Sequence, residues 1–172
     1  AEPGVEYDVR YWVGCSASYD RRAQKIARAM VKILKTAGIR FAVMAEERCH
    51  AEFARRAGEE YLFQTAAAEN IENINRYSFK RILTACPHAF TTLKNDYPQF
   101  DNSSWPVENH VEFIAKLLED KKITLKDAKE ASVTLHDACY LARYNDVEKA
   151  PRRILIQACS SIDEAHDKAS CA

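Results

Sequence analysis

Six cysteines, Cys15, Cys49, Cys86, Cys139, Cys159 and Cys171, are the residues of this chain best suited to chemistry. A thiolate is both a strong nucleophile and a soft metal ligand. No two of the six are close in sequence, which removes the paired Cys-x-x-Cys patterns of zinc ribbons and thioredoxins. The stretch "RILTACPHAF" (81–90) sharpens the question, because Cys86 stands where such a motif would open and Ala89 where it would close. His50 and His88 lie beside Cys49 and Cys86 and are further potential donors. An even number of cysteines permits disulfides, but 172 residues are enough to bury a core without them, so reduced thiols are expected.

The elements that must position these thiols follow from the apolar periodicity. "YDVRYWV" (7–13) reads as a strand closed by Gly14. Ala23, Ile26, Ala27, Met30, Val31 and Leu34 then recur with helical spacing behind Asp20, and Gly38 is placed to end that helix. "IRFAVM" (39–44) is a second strand, and residues 53–77 support a long helix or two with a break near Gly58. "RILTA" (81–85) is a third strand, and "AFTTLKNDY" a short helix stopped by Pro98. Beyond a polar loop at 101–106, "VEFIAKLLED" is helical and "ASVTLHD" (131–137) a further strand. Asp146 is expected to cap a last helix through "VEKAPRRILIQA", with Pro151 in its first turns, and the tail "SSIDEAHDKASCA" to be irregular.

Strands alternating with helices imply an α/β fold, a Rossmann-like parallel sheet with helices on both faces. In such a sheet the loops after the strands share the carboxyl edge, where α/β proteins put their ligands. Cys15, Cys49, Cys86 and Cys139 each follow a predicted strand within a few residues. Four thiols from distant stretches are thereby delivered to one side. The alternative for any one of them is a small buried packing residue. With no carboxylate cluster nearby, a thiolate set favours iron–sulphur or zinc over magnesium or calcium.

Composition narrows the partners. Twenty-five basic residues cancel twenty-five acidic ones, and no basic run exists, so there is no electrostatic footprint for nucleic acid. No apolar stretch approaches the roughly 20 residues of a membrane span, so no membrane insertion by this chain is expected. Four glycines, none in a G-x-G-x-x-G or P-loop pattern, argue against a phosphate-cradling loop. The start "AEPGVEYD" reads as neither signal peptide nor natural initiation, and the expected compartment is the cytoplasm.

Four segments in order, "WVGCSASYDRRAQKIARAMVKILKTAGI", "EERCHAEFARRAGEEYLFQ", "ACPHAFTTLKNDYPQF" and "TLHDACYLARYNDVEKAPRRIL", resemble the cysteine-rich (CCG) domain family. Its members include the B and D subunits of heterodisulfide reductase and the iron–sulphur subunits of glycolate oxidase and anaerobic glycerol-3-phosphate dehydrogenase. Each family repeat carries a lone Cys, a Cys-Cys-Gly and a Cys-x-x-Cys that hold a 4Fe–4S or related iron–sulphur cluster. Carried over, the resemblance places the lone Cys on Cys15, Cys-Cys-Gly on Cys49, His50 and Ala51, and Cys-x-x-Cys on Cys86 and Ala89. It implies one repeat over 7–106 and the start of a second, incomplete one over 107–172, with Cys139 and Cys171 as its cluster positions. Relative to the family pattern the chain resembles a fragment, a split subunit or a reduced descendant.

The resemblance implies an electron-transfer module of a heterodisulfide-reductase-like complex, an oxidoreductase subunit acting with ferredoxin-like or flavoprotein subunits. Association with a membrane complex would run through those partners. Its metal ligands would be Cys15, Cys49 and Cys86, with His50 or His88 as a fourth. The departures at Ala51, Ala89 and Ala142 weaken that site and support the alternative, a structural or docking subunit whose cluster is labile or lost. A third reading is zinc or thiol–disulfide chemistry at the same cysteines. His136 and Asp137 are expected either to orient a ligand or to cap a turn. Arg55 and Arg56 are expected on a solvated helix face, and Tyr11 and Trp12 in the sheet core.

Overall fold

The computed structural model describes Glu2, residues 4–125 and residues 129–164. The chain forms two compact units, Ala1–His110 and Val111–Ala172. Both are α/β, and every strand pair in them is parallel.

The first unit is built around β2 (Val9–Trp12), whose four residues are all buried. It pairs with β3 (Phe41–Ala42) on one side and β5 (Ile82–Thr84) on the other, and β5 pairs with β6 (Val107–Asn109), giving the order β3-β2-β5-β6. Side chains alternate across the pleat. Trp12 and Ile82 pack in one cluster with Phe63, Ala67, Ile71 and Ile74, while Val9, Tyr11 and Leu83 turn to the other face and are equally buried. Both faces of the central strands are therefore covered. The expected first strand is divided: β1 (Glu6–Tyr7) pairs with β4 (Ser78–Phe79) as a separate ribbon. The break falls at Asp8, whose carboxylate takes Lys80 Nζ at 2.8 Å and the Arg40 N–H at 3.3 Å.

Helix α1 (Cys15–Tyr19) follows β2 directly, and α2 (Arg21–Thr36) begins where Asp20 Oδ1 accepts the Ala23 N–H at 2.7 Å. Such a cap stabilises a helix by about 1 kcal/mol. The apolar stripe of α2 buries Met30 and Leu34, and the helix ends at Gly38 in a left-handed turn, φ 67°. Residues 52–75 form two helices, α3 (Glu52–Arg56) and α4 (Glu60–Asn75), divided by Gly58 at φ 82°.

After β5 the chain runs through α5 (Pro87–Thr91), a π-helical turn (Thr92–Asp96) and a 3₁₀ turn (Tyr97–Gln99). Pro98 thus lies inside the last turn instead of stopping the helix before it. β6 is not visible as a strand in the sequence, because three residues behind a polar loop carry no period of their own.

The second unit holds α6 (His110–Glu119), β7 (Lys129–Leu135), α7 (Cys139–Asn145), α8 (Lys149–Ala158) and β8 (Cys159–Glu164). Two expectations fail here. Asp146 sits at φ 57° as the C-cap of α7, so it closes one helix instead of opening the next, and Pro151 stands in the first turn of α8. The start of the tail is β8, paired in parallel with β7, because partner strand hydrogen bonds override its weak local preference. No helix among the described residues is long and apolar enough to cross a membrane.

Candidate metal centre

β2 and β5 are neighbours, but the chain leaves β2 towards β3 on one side and leaves β5 towards β6 on the other. The crevice at their carboxyl ends is the topological switch point of the sheet. Cys15 opens α1 immediately after β2, and Cys86 caps α5 immediately after β5. They are close neighbours: a Cβ placed on Gly14 would lie 3.8 Å from Cys86 Cβ. Gly14 itself has φ 82° and ψ 159°, a conformation open to glycine almost alone.

Cys49 arrives from the loop after β3. Glu47 fixes that loop against the first: its carboxylate accepts the Val13 N–H at 3.0 Å and the Gly14 N–H at 2.6 Å. The Cys15 thiol hydrogen-bonds the Cys49 thiol and also acts electrostatically on Cys86. From the other side, Asn70 of α4 donates to the Cys49 carbonyl at 3.0 Å and to Tyr97 Oη at 3.1 Å, and Tyr97 donates to the His50 carbonyl at 3.3 Å.

Backbone amides point at two of the sulfurs. The Ala51 N–H donates to Cys49 Sγ at 3.4 Å, and the Ala89 N–H to Cys86 Sγ at 3.5 Å. Desolvation pushes both thiols up, the amides oppose it, and Cys15 and Glu52 add to it. Cys15 and Cys49 are exposed and Cys86 is half-buried.

The neighbouring histidines have defined partners. His50 is buried, its Nδ1 accepts the Glu52 N–H at 3.3 Å, and burial holds its pKa down at about 4. His88 Nδ1 lies 3.1 Å from Oε2 of the buried Glu52. Arg56 pairs with Glu52 at 3.3 Å and Asp96 at 3.6 Å, and Arg55 stacks over Phe63 at 4.7 Å. These arginines are therefore tied into an internal charge network and do not form a solvated face. Tyr11 and Trp12 are core residues, as their strand position implies.

The substituted positions behave differently from one another. Ala51 holds a left-handed backbone, φ 59°, where a methyl group costs about 1–2 kcal/mol. Ala89 is fully buried in the Trp12 cluster. Ala142 lies within α7 with ordinary helical backbone, so the strain expected there is absent. In the second unit, Cys139 is the first residue of α7 and Cys159 the first of β8. Asp137 holds Arg152 through bonds of 2.9 and 2.7 Å, which pins the turn after β7 to α8. Cys171 lies outside the described residues.

The donor set is thiolate in character, as an iron–sulphur group requires. A single zinc ion needs donors at about 2.3 Å, and among the described residues no three His, Cys, Asp or Glu side chains gather to hold such an ion. A cluster is wider than an ion and is met by thiolates standing farther apart, with N–H groups directed at sulfur tuning it.

Residues 9–94 match the family model described as the cysteine-rich domain, CCG. The chain belongs to the CCG family. Relatives are iron–sulphur oxidoreductases by name. The chain is 37% identical over 164 residues to the EtfAB:quinone oxidoreductase of Syntrophomonas wolfei, covering 95% of itself and 23% of that protein. It is 40% identical over 153 residues to the probable iron-sulfur-binding oxidoreductase FadF of Bacillus subtilis, covering 88% of itself and 22% of that protein. It is 32% identical over 154 residues to the D-type subunit of the dihydromethanophenazine:CoB–CoM heterodisulfide reductase of Methanosarcina barkeri, covering 86% and 37% respectively. The chain thus spans well under half the length of these relatives. No solved structure matches it.

Glu47, Asn70, Tyr97 and Glu52 are the residues that sequence reasoning missed in this CCG unit. Each is an ordinary polar residue far in sequence from the thiol it serves. Only the strand order brings them together, and the one local signal was the carboxylate two residues before Cys49.

Proposed function

We propose that this CCG chain is an iron–sulphur-binding redox module in which Cys15, Cys49 and Cys86 hold the cluster. The observation that carries this reading is the meeting of three loops at the switch point, with Gly14 against Cys86 and the Cys15 thiol bonded to Cys49. When bound, the cluster supplies one-electron transfer. The chain's own part is to hold it, shield one side with the Trp12 cluster, and present the exposed Cys15 and Cys49 side to a redox partner. In the larger protein or complex, electrons would pass to an acceptor of the quinone or disulfide class, the two named among its relatives. Partner subunits carrying flavin or further clusters complete such a path.

A second reading, a docking subunit of the same fold without a cluster, is favoured by one observation. Ala89, the expected fourth ligand position, is built into the apolar core. Anaerobic purification distinguishes the two. A redox module is brown, absorbs broadly in the visible range, and contains iron with acid-labile sulphide, all of which Cys86→Ser removes. A colourless wild-type protein that takes up neither iron nor sulphide on reconstitution establishes the docking reading instead.

A further inference from the structure

We infer that Cys15 and Cys49 are an oxidisable pair, and that a low-molecular-weight disulfide converts them to an intramolecular disulfide that leaves Cys86 as a thiol. Two observations place the pair within reach of each other. Glu47 ties Gly14, the neighbour of Cys15, to the Cys49 loop at 2.6 Å. The two thiols themselves are hydrogen-bonded, so closing the bond calls for side-chain rotation and no new loop contact. Both are exposed to a dissolved oxidant. Cys86 is set apart by being half-buried at the cap of α5, its sulfur occupied by the Ala89 N–H at 3.5 Å.

The chemistry balances without a metal. One cysteine thiolate attacks a sulfur of oxidised glutathione, forming a mixed disulfide and expelling one glutathione thiolate. The second cysteine attacks the protein-side sulfur of that mixed disulfide, and the other glutathione leaves. Two protein thiols and one reagent disulfide become one protein disulfide and two reagent thiols. The protein loses two electrons and two protons, which the glutathione gains. The second step is intramolecular, so it outruns a second external attack.

The bond stands independently of the cluster assignment, but its consequence rests on it. Oxidation removes two of the three proposed ligands at once, so the pair sets whether the site can be loaded.

The test uses the full chain, stripped of metal with a chelator and incubated with oxidised glutathione. Free thiols are then alkylated in denaturant, and the chain is cut with trypsin. Cleavage after Arg10 and Arg21, after Arg48 and Arg55, and after Arg81 and Lys94 puts the three cysteines on separate peptides. The expected result is a cross-linked peptide pair carrying Cys15 and Cys49. Alkylation at those two should fall about tenfold against the reduced control, with Cys86 unchanged. Cys15→Ser should leave Cys49 carrying glutathione, which shows that the loss comes from pairing and not from concealment. A bridge to Cys86, a stable glutathione adduct on both wild-type cysteines, or unchanged alkylation overturns the inference. A second arm offers ferrous iron and sulphide to the oxidised and reduced proteins. Uptake by the reduced form alone supports the loading switch. Equal uptake overturns the switch with the bond intact, and no uptake by either form overturns the cluster assignment.

Discussion

Glu47 and Gly14 are joined by a hydrogen bond of 2.6 Å, from the backbone N–H of one cysteine loop to the carboxylate of the other. The second carboxylate oxygen takes the Val13 N–H at 3.0 Å. One side chain thus satisfies the two amides that β2 leaves open as it ends, and so sets where Cys15 stands relative to Cys49. Glu47→Ala strands both amides. Charge-assisted hydrogen bonds contribute about 1.5–3 kcal/mol each, so the expected loss is about 3 kcal/mol, read as a lower urea midpoint. Iron content after reconstitution should fall with it, whereas Glu69→Ala, in an exposed pair with Arg48, should change neither.

Gly14→Ala tests the backbone of the same loop. No neighbouring atom blocks the added methyl, the nearest being Cys86 Cβ at 3.8 Å. The cost is conformational, since φ 82° with ψ 159° is hostile to any side chain. A loss of about 1–3 kcal/mol is expected in urea unfolding. Gly38→Ala, a left-handed position with nothing near, should cost about 1 kcal/mol.

His110 gives the first unit a pH dependence. Its Nδ1 is buried without a hydrogen-bond partner, and burial pushes its pKa down to about 4. Between that value and the ordinary histidine value near 6.5, the unfolded chain binds more protons than the folded one. Stability is therefore full above that window and is lost as pH falls through it, with no further loss from this group below about pH 4. The urea midpoint of the wild type should drop between about pH 7 and pH 5 by the equivalent of about 1–2 kcal/mol. His110→Gln should flatten the drop.

In the second unit, Arg152 grips Asp137 with two nitrogens at 2.9 and 2.7 Å and reaches Glu164 at 2.6 Å. A planar fork makes this arrangement and an ammonium does not. Arg152→Lys should cost about 1–2 kcal/mol. Limited proteolysis should show the loss as faster cleavage near β8.

These sites also show what a sequence can disclose. The thiols were legible because cysteines directly after strands must lie on one edge of a parallel sheet, and Cys15 and Cys86 do flank the switch point. The α2 helix was legible from its stripe, its Asp20 cap and its terminal Gly38, all local signals. β8 and β6 were not, since a short strand is defined by the neighbour it pairs with. Asp146 misled because one residue type serves both as an N-cap and as a left-handed C-cap. Glu47 carried no signal, for nothing in "AEERCH" distinguishes a carboxylate that holds a distant loop from one in water.

The π-helical turn at Thr92–Asp96 has a consequence for insertions and deletions. A turn of this kind accommodates one residue more than a regular helix does. Deleting a single residue there would let the α-helix run on unbroken, yet each residue advances a helix by about 100°. Tyr97 would swing away from Asn70 and from the His50 carbonyl, and the loop bearing Cys49 would lose its far anchor. A shortened, better-wound version of this segment would therefore make a more regular helix and a poorer thiol site.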